Sequence, residues 1–554
     1  MAAGGERMTV APGSGAVNPQ APDRKIAGPG DAAAGPAGAG STAGGSTGSS
    51  GRRPWWVWAV PFTVLFVLLC VRNRFLFTTR LYEQGDGGAN SILIEQAKHF
   101  TLLVGNYSRE GFNHPGPAYM YVQAFGEYLF ASALHVVPTA WNAHMLSVFA
   151  LDCVFVALAV AVVYGWTRSL MGAAACFAVF IGFAIAYPPI VNSDWMPYMY
   201  VLAYMVFVIA AGSLVAGRGQ DAWIFALTGW FLIHGHACFL LFVPVLTLAV
   251  LAAVLWPHRR TLPATAGSFF REQRRAWIPV AVISAIFALP IVVNLVLHWP
   301  GDFGKYLSYG GSGQAGGHSL RQVLKYALWF WWPHQHAWAA ALVPVAGYAV
   351  ALAVTFWLSH GPLRRFLLAL LAVNVVSSLA FLFYAAVGID DLTEYYIGYF
   401  YWSAPLVTVL VVVLGVLGAI RPRLGAGLAV LAAVVTFVVL AVIPGTHAST
   451  NDIDESLPQV VATLAARAPG KTIVLHIDHS AWVETTGFLV QAERSGVKAC
   501  LDDPRFTFIM TKQFICTPAQ AASGQGYWFY LPRIPPGARV ILRFSRVAVA
   551  PAPS

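Results

Sequence analysis

The chain carries few ionisable residues, and the most suggestive stand in one polar stretch between apolar runs, RLYEQGDGGANSILIEQAKHFTLLVGNYSREGFNHPGPAYMY. Asp86 lies there in a glycine-rich turn just before an amphipathic helix, with Ile92, Leu93, Ala97, Phe100, Leu103 and Val104 available to one side. A carboxylate held at a membrane surface beside such a helix can face the head group of a lipid. Asp86, or Glu83 just before it, has the chemistry of a general base that takes the proton of an attacking hydroxyl. The plainer alternative for both is a solvated loop carboxylate.

Other groups fit the same picture. Asp194, in NSDWMPYMY, precedes an apolar run and is either a second catalytic or acceptor-orienting acid or a helix cap before Trp195. A glycine-rich stretch, GDFGKYLSYGGSGQAGGHSLRQVLKYALWFWWPHQHAW, combines Lys305, Arg321 and Lys325 with a dense aromatic belt, which suits a loop that orders over a phosphorylated ligand. DDLTEYYIGYFYW sets Asp390, Asp391 and Glu394 among tyrosines, a composition found in carbohydrate clefts. Asp152 falls inside an apolar run, where a charge must be paired, protonated or turned to a wet cavity. His234 and His236 lack a third metal ligand at motif spacing, and on a strand His479 would oppose His476 and Asp478, so no metal site is assigned.

The elements that position these groups are set by composition. With 57% hydrophobic and 10% charged residues in 554 and a mean hydropathy of +0.62, most of the chain must be dissolved in lipid. Apolar runs of roughly 18 residues or more recur from Trp55 to about Pro444, each long enough to cross as a helix. The net charge of +10 is not a nucleic-acid face, because the arginines cluster between apolar runs: Arg218, the group from Arg259 to Arg275, Arg364 with Arg365, and Arg421 with Arg423. Basic loops stay in the cytoplasm. That rule puts Asn192 to Pro197, His234 to His236, the loop 299–338, Asp390 to Tyr401 and everything after Pro444 outside.

The stretch Pro115 to about Val137, containing Gln123 and Glu127, does not cross if Arg168 is inside, and is expected to be interfacial. About eleven spans with an outer C-terminus result. Residues 1–53 are too poor in apolar side chains to fold and form a cytoplasmic tail ahead of a retained anchor. The membrane unit covers 54–445, with outer loops 72–115 and 299–338. Residues 446–554 read as a small extracytoplasmic α/β domain: KTIVLHI, VKACL, GYWFYL and ARVILRF as strands, VETTGFLVQAERSG as a helix closed by a glycine. Of six cysteines only Cys500 and Cys516 are placed to form a disulfide, which needs an oxidising compartment; two buried thiols are the alternative. The expected fold is thus mainly α, a polytopic helical bundle with a small α/β domain.

A first span, an outer loop with an acidic residue, a helix, a glycine, and a basic residue with Pro opening the next apolar segment resemble the GT-C superfamily of polyprenyl-phosphate-sugar glycosyltransferases. The similarity is to the branch of protein mannosyltransferases and aminoarabinose transferases. This sequence has Gly85-Asp86-Gly87 where that branch carries an acidic pair, and His114-Pro115-Gly116-Pro117 where it carries Lys-Pro-Pro. The resemblance implies Asp86 as catalytic base and His114 as a contact to the donor phosphate, with Asp194 as the second acid. Lys305, Arg321, Lys325 and Glu83 complete the expected substrate contacts. It implies sugar transfer, inverting if it is one displacement, from a lipid-linked donor to an envelope glycan, lipid or protein. The partners are those substrates and the membrane, not nucleic acid; no soluble nucleotide sugar is needed, no cofactor is assigned, and a divalent metal is left open. A transporter or flippase of lipid-linked glycans and a non-catalytic envelope assembly protein are the rival readings.

Overall fold

Backbone N–H and C=O groups in hydrocarbon must be satisfied within the chain, so the apolar runs can cross only as helices. The computed structural model describes residues 53–256, 274–311, 317–332, 337–420, 447–450 and 452–552, with scattered positions between 427 and 442. The expected tail up to residue 52, the basic residues Arg259, Arg260, Arg271, Arg421 and Arg423, and parts of the loop 299–338 lie outside these residues. Among the described residues six helices are long and apolar enough to cross a membrane: Ala140–Thr167, Met196–Val215, Ala276–His298, Ala341–Leu358, Gly361–Val387 and Tyr395–Ala419. Trp56–Arg72, Leu170–Ala186 and Phe239–Leu255 are shorter apolar helices, and Ala222–Gly235 is another. Ala140–Thr167 and Met196–Val215 form the centre, 89% and 83% of their most apolar windows being buried, whereas none of that of Ala276–His298 is. That last helix therefore presents its apolar surface outward, as a lipid-facing helix must.

Helix ends sort into two faces. At one, Arg53 pairs with Asp221 and the carbonyl of Gly165 accepts from Arg218, beside the cap Arg168 of the central helix. At the opposite face, the Asn73 side chain donates to Asn192 Oδ1 over 2.9 Å and accepts from the Ala448 amide at 2.7 Å. The central helix begins on this second face, where the Asn142 amide donates to Leu76 O at 2.6 Å and Thr79 O at 2.8 Å, and Thr139 Oγ1 donates to Leu81 O at 2.8 Å. The segment 82–138 therefore leaves and returns at the same end of the bundle. Its later part forms the helix Ala118–Gly126 and a π-helical turn, Glu127–Ala133.

The C-terminal residues build a five-stranded sheet, order β2-β1-β3-β5-β4, from β1 (Ile473–Ile477), β2 (Ala499–Leu501), β3 (Gln525–Tyr530), β4 (Leu542–Phe544) and β5 (Val547–Pro551). β2, β1 and β3 run parallel; β5 is antiparallel to β3 and to β4. The expected helix is Trp482–Arg494, closed by Gly496 at φ +69. Cys500 and Cys516 are bridged. The helix Leu457–Arg467 and β5 are additions to the sequence reading, β5 because VAVAP is short and runs into prolines.

The polar-loop helix, Gly85–Lys98, corrects another expectation. Its apolar residues do not form the single side expected of an amphipathic helix: Ala89 and Ile92 belong to the core of the C-terminal domain, while Leu93, Ile94 and Ala97 belong to that of the membrane bundle. The helix ends at Lys98, so Phe100, which is 84% exposed, joins neither core. Gly88 allows the close approach to the domain, since a Cβ there would fall 2.7 Å from Thr486 Oγ1 and 3.1 Å from the Gly487 nitrogen.

Candidate active site

Gln84 is extended and donates its backbone N–H to Asp452 O over 2.9 Å. Gly85, at φ +55, then turns the chain into the helix, a conformation glycine adopts without a Cβ clash. Asp86 thus falls in the first helical turn, where exposed backbone N–H groups favour a negative side chain. Its Oδ1 accepts from the Tyr107 hydroxyl and its Oδ2 from the Trp195 indole N–H at 2.6 Å. Burial, then the Asp86 charge, push the Tyr107 phenol well above its ordinary range, so it stays a donor. Each carboxylate oxygen has two lone pairs, so this clamp orients the group and leaves it able to accept another hydrogen bond.

Asp86 lines a cavity of about 440 Å³ that collects segments remote in sequence: Tyr107 to Phe112, His114, Trp195 to Pro197, His236 to Cys238, Tyr306, Tyr309, Tyr384 and Asp390. Most lie in or beside loops that the charge rule expects on one side of the membrane, whereas Tyr384 belongs to the helix Gly361–Val387. Arg109 is the cavity's cation; its Nη2 donates to both carboxylate oxygens of Asp390 at 2.7 and 2.6 Å, with Glu110 and Glu394 also in reach. Much of the rest of the wall is aromatic. On one side Phe112 meets Tyr306 edge-on with centroids 5.0 Å apart, and the Tyr306 hydroxyl donates to Asn113 O, which docks the helix Gly301–Gly311 on the loop.

His114 and His236 line the cavity side by side with ring centroids 4.1 Å apart. The Ala237 N–H donates to His114 Nδ1 at 3.2 Å, so a neutral His114 carries its proton on Nε2. Burial, reinforced by His236, holds His114 well below the usual imidazole range, and burial lowers His236 to about 4. The sign follows: between pH 6.5 and about 4 the unfolded chain binds protons that the folded one refuses, so stability falls as pH drops through that window. Each histidine should contribute a slope of up to about 1.4 kcal/mol per pH unit. Thermal unfolding of the wild type and His236→Phe across these pH values should show a flatter dependence in the variant. The neighbouring Gly116 is required by packing: a Cβ there would lie 2.3 Å from His234 Nδ1.

No protein-family model matches this sequence, and no curated protein matches it. Among solved structures the chain is similar to an oligosaccharyltransferase from Archaeoglobus fulgidus. Its complex with zinc and sulfate aligns with a TM-score of 0.40 at 13% identity, covering 85% of this chain and 68% of that one. Its apo form aligns with a TM-score of 0.33 at 12% identity, covering 80% and 64%.

Of the residues singled out by sequence, Asp86, His114, His236 and Asp390 reach the cavity. Asp194 lies behind its wall: its Oδ2 accepts from the Trp141 indole at 2.9 Å, and burial raises its carboxyl above the usual range. It does not cap the following helix, because Ser193 Oγ takes the Trp195 N–H at 3.1 Å. Glu83 is corrected outright. Its carboxylate is buried and turned toward the C-terminal domain, with Arg494 Nη1 at 2.9 Å and the Ser91 hydroxyl as donors. Burial opposes its charge, but Arg494 and His144 outweigh it and hold the carboxyl below its ordinary value.

The three expected cations are corrected too. Lys305 is exposed and bonds Asp302 and Gly111 O, while Arg321 and Lys325 are exposed on the helix Leu320–Trp329, and none of the three lines the cavity. Arg109 lines it instead; nothing in the sequence sets it apart from Arg72, Arg74 and Arg80 on the same face. Asp152 is buried in mid-helix, outside the cavity wall. His234 bonds Phe287 O at 2.8 Å, and Asp478 accepts the Leu531 N–H at 2.8 Å. Among the described residues no three His, Cys, Asp or Glu converge as metal ligands.

Proposed function

We propose that this chain is a GT-C-type membrane glycosyltransferase that moves a sugar from a polyprenyl-phosphate donor to a hydroxyl of an envelope glycan, lipid or protein. The observation that carries the reading is Asp86, oriented by Tyr107 and Trp195 on the wall of an aromatic cavity where the polar loop meets the ends of spanning helices. The acceptor O–H gives its proton to Asp86 as the oxygen bonds to the anomeric carbon; the bond from that carbon to the phosphate oxygen breaks and the polyprenyl phosphate leaves. One displacement inverts the anomeric centre. Arg109 offsets the charge that grows on the departing phosphate, and the Nε2–H of His114 is a neutral donor to it. Asp194 supports the turn that presents Trp195.

The extracytoplasmic face is assigned to the cavity because Arg53, Arg168 and Arg218 gather at the opposite helix ends. The Cys500–Cys516 bridge, in the domain packed beside Asp86, favours the same side. Purified protein given labelled polyprenyl-phosphate sugars and a panel of acceptors should form a new glycosidic linkage and release polyprenyl phosphate. Movement of the intact labelled lipid across a vesicle bilayer, with no new linkage, would instead mark a flippase.

A further inference from the structure

The C-terminal domain holds the polar-loop helix through charge. Arg494, last residue of the helix Trp482–Arg494, donates from Nη1 to Glu83 and from Nε to Glu95, both at 2.9 Å. These carboxylates stand on either side of Asp86 in sequence, so one rigid guanidinium spans the helix that carries it. The chain of charge continues into the bundle: Lys98 lies 2.6 Å from Glu95 and 2.7 Å from Glu127, and Glu127 meets His144 of the central helix at 3.0 Å. Backbone ties fix the same unit, since Asp454 N donates to Tyr82 O at 2.9 Å and Thr486 Oγ1 to Gly85 O at 3.1 Å.

From this geometry we infer that Arg494 is a positioning residue for Asp86: the C-terminal domain sets the pitch of the helix Gly85–Lys98 and so aims the base into the cavity. The inference rests on the glycosyltransferase reading. It assigns the domain a part in the chemistry that does not depend on whether it also recognises an acceptor. Arg494 is far along the chain and does not line the cavity, so it acts through Glu83 and Glu95 rather than on substrate. A shift of about 1 Å in a reacting group costs on the order of 100-fold in rate, and a loosened helix end allows such a shift.

The test uses the full-length protein in three variants. Arg494→Met should lower kcat about 100-fold, with KM for the lipid-linked donor changed less than about threefold, and should raise amide hydrogen exchange over residues 85–98. Glu83→Gln combined with Arg494→Met removes the buried charge left alone in the single variant, so it should recover the melting temperature yet keep the low kcat. Arg494→Lys keeps a charge but not the two-pronged fork, and should recover part of the rate, remaining about tenfold down. Wild-type kcat in any of the three that folds, with unchanged exchange over 85–98, overturns the inference. The exchange readout needs no activity, so failure of the transferase reading, seen as no transfer by the wild type on any donor, is told apart from failure of this one.

Discussion

Asp86→Asn should lower kcat for glycosyl transfer by about 10² to 10⁴ while leaving donor binding within a fewfold of wild type. The substitution keeps the shape of the side chain and removes its ability to hold a proton. It also has a local cost. Both carboxylate oxygens accept, one from Tyr107 and one from Trp195, and an amide offers one acceptor and one donor. Its NH2 must therefore face one of the two donors, costing about 1 to 3 kcal/mol as an unmatched pair. The thermal midpoint measured beside the rate separates the two effects: a folded variant that binds donor and fails to transfer identifies the base. A folded Asp86→Asn protein whose kcat stays within tenfold of wild type would remove Asp86 from the chemistry.

The second large effect is at Arg109. A polyprenyl-phosphate sugar is a phosphodiester with one negative charge, and the leaving group is a monoester that acquires a second as the bond breaks. A cation beside it is therefore bound more strongly in the transition state than in the ground state, which is the condition for raising kcat. Arg109→Gln should cost about 10² to 10³ in kcat/KM, the range found for removing one preorganised donor at developing charge. Arg109 already holds Asp390 in the free protein, so the guanidinium stays aimed until the donor phosphate displaces that carboxylate. The exposed residues Arg321 and Lys325 serve as comparison: Arg321→Gln and Lys325→Gln should change kcat/KM by less than about threefold, because an exposed charge outside the cavity is screened by water and salt. Comparable losses at Arg321 or Lys325 would place the phosphate elsewhere.

The cavity's two protonation-sensitive histidines show how far residue type alone carries. His114 was legible from its place before Pro-Gly-Pro, and the structure does bring it to the cavity wall. His236 was legible as one of two histidines flanking a glycine. That the two rings pack against each other, while His234 turns to Phe287, depends on how the loop and a helix end meet. Glu83 and Asp86 illustrate the limit more sharply. Both are acids at the start of one helix, and their local sequence is nearly the same setting. One faces an aromatic cavity and the other a guanidinium because the helix is sandwiched between two cores.

What the sequence determined by itself was everything that follows from local composition and period. Long apolar stretches must become helices, because hydrocarbon leaves their peptide groups no other partner. Arginine clusters between apolar runs give an expected sorting of the loops, and several loops expected on one side contribute to the wall of one cavity. A return to ordinary polar composition marks an α/β domain, and a glycine-framed acid marks Asp86. Tertiary structure alone decided which charges meet. Arg494 and Glu83 are 411 residues apart, and Arg109 and Asp390 are 281 apart. An ion pair depends on the position and orientation of two side chains in space, and no nearby residue pattern encodes that. The meeting of elements from distant parts of the chain, with Glu83 buried against Arg494, is what turns a scatter of loop charges into one fixed support for the base and one aimed cation.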